Sequence, residues 1–279
     1  MVPPYGAALC HVESHVWRDE CGAPEFFTGG AKLIALPGTD GKLHAADLET
    51  HLAIPGHGVH HNPPAAVSLS QLSECGTVYT LAEIAAVTHI AHGHGLKVHM
   101  DGARLANALI TLGATPADAT WRAGIDVLSF GASKNGAMAA EAVVVFDRSL
   151  AASLGYRRKR GGHLLSKMRF LAAQFDAYLT DDLWRRNAAH ANVMARRLAD
   201  GIRGLPGVSF RYPVEGNEIF VVLPEATIER LHDHGFLFHP WPGDPGLSRL
   251  VTSFQTAVED VDAFVAATRR DLDRPASKS

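Results

Sequence analysis

The feature that most constrains this chain is an alternation of short apolar runs with helical periodicity across its first two-thirds. Ala7–His11 and Ala65–Leu69 read as strands, and Leu81–His94 carries Ile84, Val87 and Ile90 at helical spacing. Gly95 stands where a helix C-cap belongs, and Gly95–Met100 follows as the next strand. Leu105–Leu112 is helical and Gly113 ends it, after which Ile125–Phe130 and Glu141–Phe146 read as strands. Strands alternating with helices of this length imply βαβ units, hence an α/β fold with a mainly parallel sheet and helices on both faces.

After Phe146 the pattern changes. Ser149–Gly155 and Gly162–Thr180 carry long apolar-periodic stretches, and Asp181–Arg203 continues as an Ala/Arg-rich helix. Beyond the turn Leu205-Pro206-Gly207, strands are expected at Val208–Tyr212, Glu218–Leu223, Gly235–Phe238 and Arg249–Ser253. A helix over Ala226–His234 and a last one from Val258 complete a small α+β unit. The expected division is a large domain over residues 1–180 and a small C-terminal domain over 181–279, with the tail Arg274–Ser279 frayed.

Charge and cysteine content narrow the function classes. Lysine and arginine number 26 against 29 acidic residues, a net charge of −3, so no basic excess points to nucleic acid. The basic run Arg157–Arg160 is too short and has no aromatic residues interleaved. Apolar runs such as Ala142–Phe146 and Ile219–Leu223 are far too short to cross a bilayer. Three cysteines without CxxC spacing indicate neither a disulfide nor a zinc framework, and no metal is expected. The opening residues lack a signal or transit pattern, which makes a cytoplasmic location the expectation.

Two segments carry chemistry. In Ser129–Gly136 (SFGASKNG), Lys134 follows a strand among small residues, where open α/β sheets place their ligands. A partly desolvated lysine has a lowered pKa and can form a Schiff base with a carbonyl group. Alone, Ser-Lys-Asn-Gly reads as an ordinary turn. In Lys97–Arg104 (KVHMDGAR) a strand ends in Asp101 and Arg104, which alone read as an ion pair at a helix start. A pyridoxal phosphate (PLP) site needs a carboxylate on the pyridine nitrogen and a Schiff-base lysine on a nearby strand end. Asp101 precedes Lys134 by 33 residues, room for one helix and one strand, which brings both to the same sheet edge.

With those segments in hand, the sequence resembles the low-specificity L-threonine aldolases, in the β-eliminating lyase branch of fold-type I PLP enzymes. The resemblance runs through Ser14-His15, Glu20–Ala23, Ser68–Tyr79, His99–Asn107, Asp126–Gly136 and Arg249–Ser253, in the family's order. It implies that Lys134 carries PLP, Asp101 pairs with the pyridine nitrogen, and His15 stacks on the ring and serves as base. It further implies that Arg104 binds the substrate carboxylate or the cofactor, that Arg249 completes the carboxylate clamp, and that Lys167 helps hold the cofactor phosphate across a subunit boundary. The implied activity is cleavage of L-threonine, L-allo-threonine and related β-hydroxy-α-amino acids to glycine and an aldehyde, by a homodimer or homotetramer. A sibling lyase or racemase on the same fold, or a non-catalytic remnant, are the alternatives.

Two departures accompany the resemblance. A second active-site histidine, carried by some relatives in the stretch resembling Ser68–Glu74, has no histidine counterpart; Ser73 is nearest that place, with His60 and His61 as upstream substitutes. The family's N-terminal Gly-rich phosphate loop and its helix are not found before His15, so the expectation is an enzyme lacking its first strand and helix, with apolar surface exposed in consequence. The remaining histidines, including His89, His92, His94, His232 and His234, read as solvated or capping residues on or near helix ends.

Overall fold

In the computed structural model, which describes residues 1–273, the alternation folds into a six-stranded sheet. The expectation for the tail Arg274–Ser279 lies outside the described residues. The strands are β1 (Ala7–His11), β2 (Lys32–Leu36), β3 (Pro64–Ser70), β4 (Lys97–Gly102), β5 (Val127–Gly131) and β6 (Glu141–Val145), in spatial order β2-β1-β3-β4-β5-β6. All neighbours are parallel except β5 and β6.

Helices α1 (His15–Arg18), α2 (Ala23–Thr28), α3 (Ala45–Leu52), α4 (Leu81–Gly93), α5 (Leu105–Leu112) and α6 (Pro116–Ala119) lie between the strands. A capping box starts α4: the Thr80 hydroxyl accepts the Glu83 N–H and the Glu83 carboxylate accepts the Thr80 N–H. Period-2 alternation in the strands sends Leu9, Val67, Val98 and Met100 into one core with Leu48 of α3, Ile84 and Val87 of α4 and Leu109 of α5. The intervening residues Ala8, Ala66, Ser68 and His99 face the other way. They line a cleft of about 210 Å³ together with Met1, Val2, Val16 of α1, and Pro24 and Thr28 of α2.

Beyond β6 come α7 (Leu154–Arg160), α8 (Arg169–Leu179) and α9 (Leu183–Ile202). Then follow β7 (Ser209–Phe210), β8 (Glu218–Val222), α10 (Glu225–Asp233), β9 (His239–Pro240), β10 (Leu247–Val251) and α11 (Val258–Leu272). These last strands form an antiparallel sheet in the order β7-β8-β10-β9. The sheet has its own core, in which Ile219, Val221 and Leu250 meet Val261 and Phe264 of α11. Helix α9 serves both cores: Trp184 and Ala188 belong to the first, Met194, Leu198 and Ile202 to the second.

Two of the small strands differ from expectation. Within the run 208–212 the strand is Ser209–Phe210, paired with β8, and the Arg211 N–H donates to the Phe220 carbonyl just beyond it. The run 235–238 is not strand at all: Phe236 and Phe238 pack edge-on against Phe264, and pairing with β10 begins at His239–Pro240. The apolar signal there reports side-chain burial rather than a hydrogen-bonded ladder, and Pro240 restricts β9 to an edge position.

The seam between the two cores is closed by a buried amide pair. Asn107 Nδ2 donates to Asn192 Oδ1 at 2.9 Å, and Asn192 Nδ2 donates to the Asn107 carbonyl at 2.9 Å. Asn192→Leu leaves both α5 partners without their bonds and is expected to destabilise the chain by about 2 kcal/mol. The check is a lower urea midpoint with an unchanged slope.

Candidate active site

Parallel pairing brings the carboxyl ends of β1, β3, β4 and β5 to one edge of the sheet, and the expected chemistry stands there. Ser70 lies beside Asp101 and Asp101 beside Ser129 in register. His15 follows β1, Glu74 follows β3, Asp101 is on β4, and Lys134 lies on the tight turn Ser133–Asn135 after β5.

That turn is pinned from beneath by its neighbour. Asn135 is buried, and its Nδ2 donates to Tyr178 Oη at 2.7 Å and to the Trp184 carbonyl at 2.8 Å. The Asn135 carbonyl accepts from Asn187 Nδ2 at 2.9 Å. Gly136 completes the turn at φ 121°, and a Cβ there would lie 2.7 Å from Asn187 Nδ2, so only glycine fits. Lys134 is thus held on a rigid base while its own side chain stays open to solvent. Partial burial, and next the Arg104 guanidinium, push its ammonium below the ordinary lysine value, while Asp101 opposes them.

Asp101 is oriented by its own backbone, with Oδ1 accepting the Ala103 N–H at 2.9 Å. Two residues earlier on the same face, His99 is held between hydroxyls, Nδ1 at 2.9 Å from Ser68 Oγ and Nε2 at 2.9 Å from Ser129 Oγ. Burial favours the neutral ring of His99, and Asp101 works against that. His15 places Nδ1 3.4 Å from Asp19 Oδ2, with its side chain 37% exposed. Its backbone N–H donates to Glu74 Oε1 at 2.9 Å, an oxygen that also accepts from Ser70 Oγ at 2.7 Å. Burial raises the Glu74 pKa, and Asp101 adds to the rise.

Arg104 and Arg249 converge from different sheets on one acid. Arg104 Nη2 lies 3.0 Å from Glu218 Oε1, and Arg249 donates Nε to the same oxygen at 2.9 Å and Nη2 as well. The Glu218 side chain is wholly buried, and neither its Oε2 nor Glu74 Oε2 has a hydrogen-bond partner among the described residues.

Lys134, Asp101, Arg104 and Arg249 are therefore one electrostatic cluster, and His15 joins its edge through Glu74. Lys167 is not brought to it: exposed on the turn before α8, its side chain makes no hydrogen bond or ion pair with the cluster among the described residues. His60 and His61 cannot replace a histidine near Glu74. They precede β3, whose seven residues run about 23 Å to the edge where Asp101 lies. Ser73, nearest the place of that histidine, bonds Thr77 Oγ1 at 2.7 Å. Glu74, His99, Asn135 and Glu218 all escaped the sequence reading. Glu74 and Glu218 had one signal, an acid beside an apolar run that ends up buried.

The donor set suits PLP. An amine whose charged form is disfavoured and a fixed carboxylate occupy adjacent strand ends, as a carbonyl group and a protonated pyridine require. Two buried carboxylate oxygens without donors lie in the same cluster, an arrangement that suits a ligand carrying N–H groups.

The chain's relatives agree with this chemistry. A family model described as Beta-eliminating lyase matches residues 1–226. The low specificity L-threonine aldolase of Pseudomonas aeruginosa is 44% identical over 257 residues, covering 92% of this chain and 74% of that protein. The enzyme of the same name from another Pseudomonas strain is 41% identical over 265 residues, covering 95% and 76%. The solved structure of Leishmania major threonine aldolase superposes with a TM-score of 0.90 at 30% identity, over 97% of this chain and 79% of that one. The chain belongs to the β-eliminating lyase family, as a PLP-dependent lyase of fold type I.

Proposed function

We propose that the chain cleaves β-hydroxy-α-amino acids, L-threonine and L-allo-threonine among them, to glycine and an aldehyde. The observation that carries the reading is the meeting of Lys134 and Asp101 on adjacent strand ends, beside the Arg104–Arg249 pair. The 44% identity to an enzyme named low specificity L-threonine aldolase supplies the substrate class.

Bound at this edge, PLP supplies an electron sink for the pair left on Cα when the Cα–Cβ bond breaks. Asp101 holds the proton on the pyridine nitrogen, where a nearby carboxylate stabilises the cation. Lys134 supplies a neutral amine at lower pH than a solvated lysine does, because burial and Arg104 both disfavour its ammonium. Arg104 and Arg249 take the substrate carboxylate through guanidinium N–H groups, in the fixed geometry that suits a planar anion. His15, open enough to meet substrate and steadied through Asp19, accepts the β-hydroxyl proton directly or through one water.

The same reading includes a small domain over residues 181–279 beside a large one over 1–180, supported by the separate core of the second sheet. It also includes a cytoplasmic homo-oligomer, dimer or tetramer. Exposed Met138, Tyr156 and Phe170 supply apolar surface for a second copy, and Lys167 then reaches the cofactor phosphate of the neighbouring subunit.

Lys134→Ala is expected to abolish both the bound-cofactor absorbance and glycine formation from L-threonine; retention of both would sink the reading. Asn135→Ala frees the turn beneath Lys134 and is expected to lower kcat/KM by about tenfold or more, read in the same glycine assay.

Stability runs the other way. A lysine whose folded pKa lies below its ordinary 10.5 binds its proton more tightly in the unfolded chain, so its ammonium opposes folding below that range. Lys134→Met is therefore expected to raise the urea midpoint at neutral pH. The gain shrinks as the pH rises towards 10.5.

A further inference from the structure

We propose that Glu218 is the positioning residue of the carboxylate site: it gathers Arg104 and Arg249 on one oxygen and leaves them one net positive charge, so that the site admits a single carboxylate. The inference rests on the reading of the two arginines as the carboxylate clamp.

Arg104 stands at the start of α5, over the large sheet, and Arg249 lies on β10 of the small one. Glu218 opens β8, and the antiparallel register sets Val251 opposite it, placing Arg249 two residues away on the same face. The diagonal contact brings Arg249 to Glu218 within one sheet, and the 3.0 Å pair with Arg104 joins that sheet to the other. Without the acid, two guanidiniums that never lose their protons would face each other, with Lys134 as a third cation nearby. Three positive groups at such range separate unless an anion is built in.

The manner of burial shows which property of Glu218 matters. Its side chain has no exposed surface, and both arginines use Oε1 while Oε2 is left without a donor among the described residues. A carboxylate placed for its hydrogen bonds would engage both oxygens, so the charge is what this placement retains. Of the three side chains, Arg249 is the most open, at 26% exposure against 10% for Arg104, and it presents the pair to an incoming anion. Two cations and one anion then meet that ligand with a single positive charge. One carboxylate neutralises it; a second overcharges a site that already holds Asp101.

The test uses the PLP-loaded enzyme and compares wild type with Glu218→Gln and Glu218→Asp. Acetate and malonate serve as competitive inhibitors of L-threonine cleavage, and malonate is also titrated calorimetrically without substrate. Glutamine keeps the shape and removes the charge, so malonate is expected to gain about tenfold over acetate. Aspartate keeps the charge but withdraws the oxygen, so the malonate-to-acetate ratio stays at the wild-type value while KM for L-threonine rises more than kcat falls. An unchanged ratio in Glu218→Gln, or a shifted ratio in Glu218→Asp, overturns the proposal. If wild type fails to cleave L-threonine, the functional reading falls, and the malonate titration still decides the role of Glu218.

Discussion

Parallel strand pairing is the constraint from which the site follows. Each parallel neighbour ends at the same edge, so residues as distant in sequence as His15, Glu74, Asp101 and Lys134 arrive together. The crossovers from β3 to β4 and from β4 to β5 are α4 and the segment from α5 to α6, and their burial against Leu9, Val67, Val98 and Met100 fixes the register. A one-residue slip of β4 would turn Asp101 and His99 into that apolar core and Met100 towards the cleft. Core packing and catalytic geometry are therefore two readings of one alternation.

Electrostatics then shapes what the edge can do. Arg104, Arg249 and Lys134 are set among Asp101, Glu74 and Glu218, and the two signs are arranged unevenly. The arginines share one buried acid, whereas Lys134 is disfavoured as an ammonium by burial and by Arg104. Glu74 is shifted the opposite way from a solvated acid, because burial and Asp101 both disfavour its charge. Burial thus disfavours negative charge on Glu74, beside the strand end that carries Asp101. The Lys134 amine is thus tuned by its surroundings, burial first and then the Arg104 guanidinium.

The sequence made the strand ends legible because their signals are local. Asp101 closes a strand pattern and Lys134 follows another, and one crossover separates them, which is enough to place both on one edge. Burial by tertiary packing leaves no such trace. Glu218 sits at the head of an apolar strand, and nothing within ten residues shows that Arg104, over a hundred positions earlier, lies against it. Asn135 reads as turn chemistry, although its amide is fixed by Tyr178 and Trp184 some forty to fifty residues on. His60 and His61 misled for the reason that sequence proximity to Ser68–Glu74 is not spatial proximity: a full strand intervenes. The short edge strands failed likewise, since Phe236 and Phe238 are apolar for the sake of Phe264 and not of a ladder.

The same distinction explains why the catalytic turn needs so much support. Burial and Arg104 disfavour the Lys134 ammonium, and that ammonium opposes folding at neutral pH. The turn that carries Lys134 is restrained through the residues beside it. Asn135 bonds in both directions, Gly136 removes the Cβ that would strike Asn187, and Trp184 and Tyr178 close the base by packing against Phe130. Because α9 supplies Trp184 and Asn187 at one end and the second core at the other, the turn that carries Lys134 and the strand that carries Glu218 are mounted on one helix. The distance between amine and carboxylate site is thereby set by a rigid element twenty residues long rather than by the loops that bear the reacting groups.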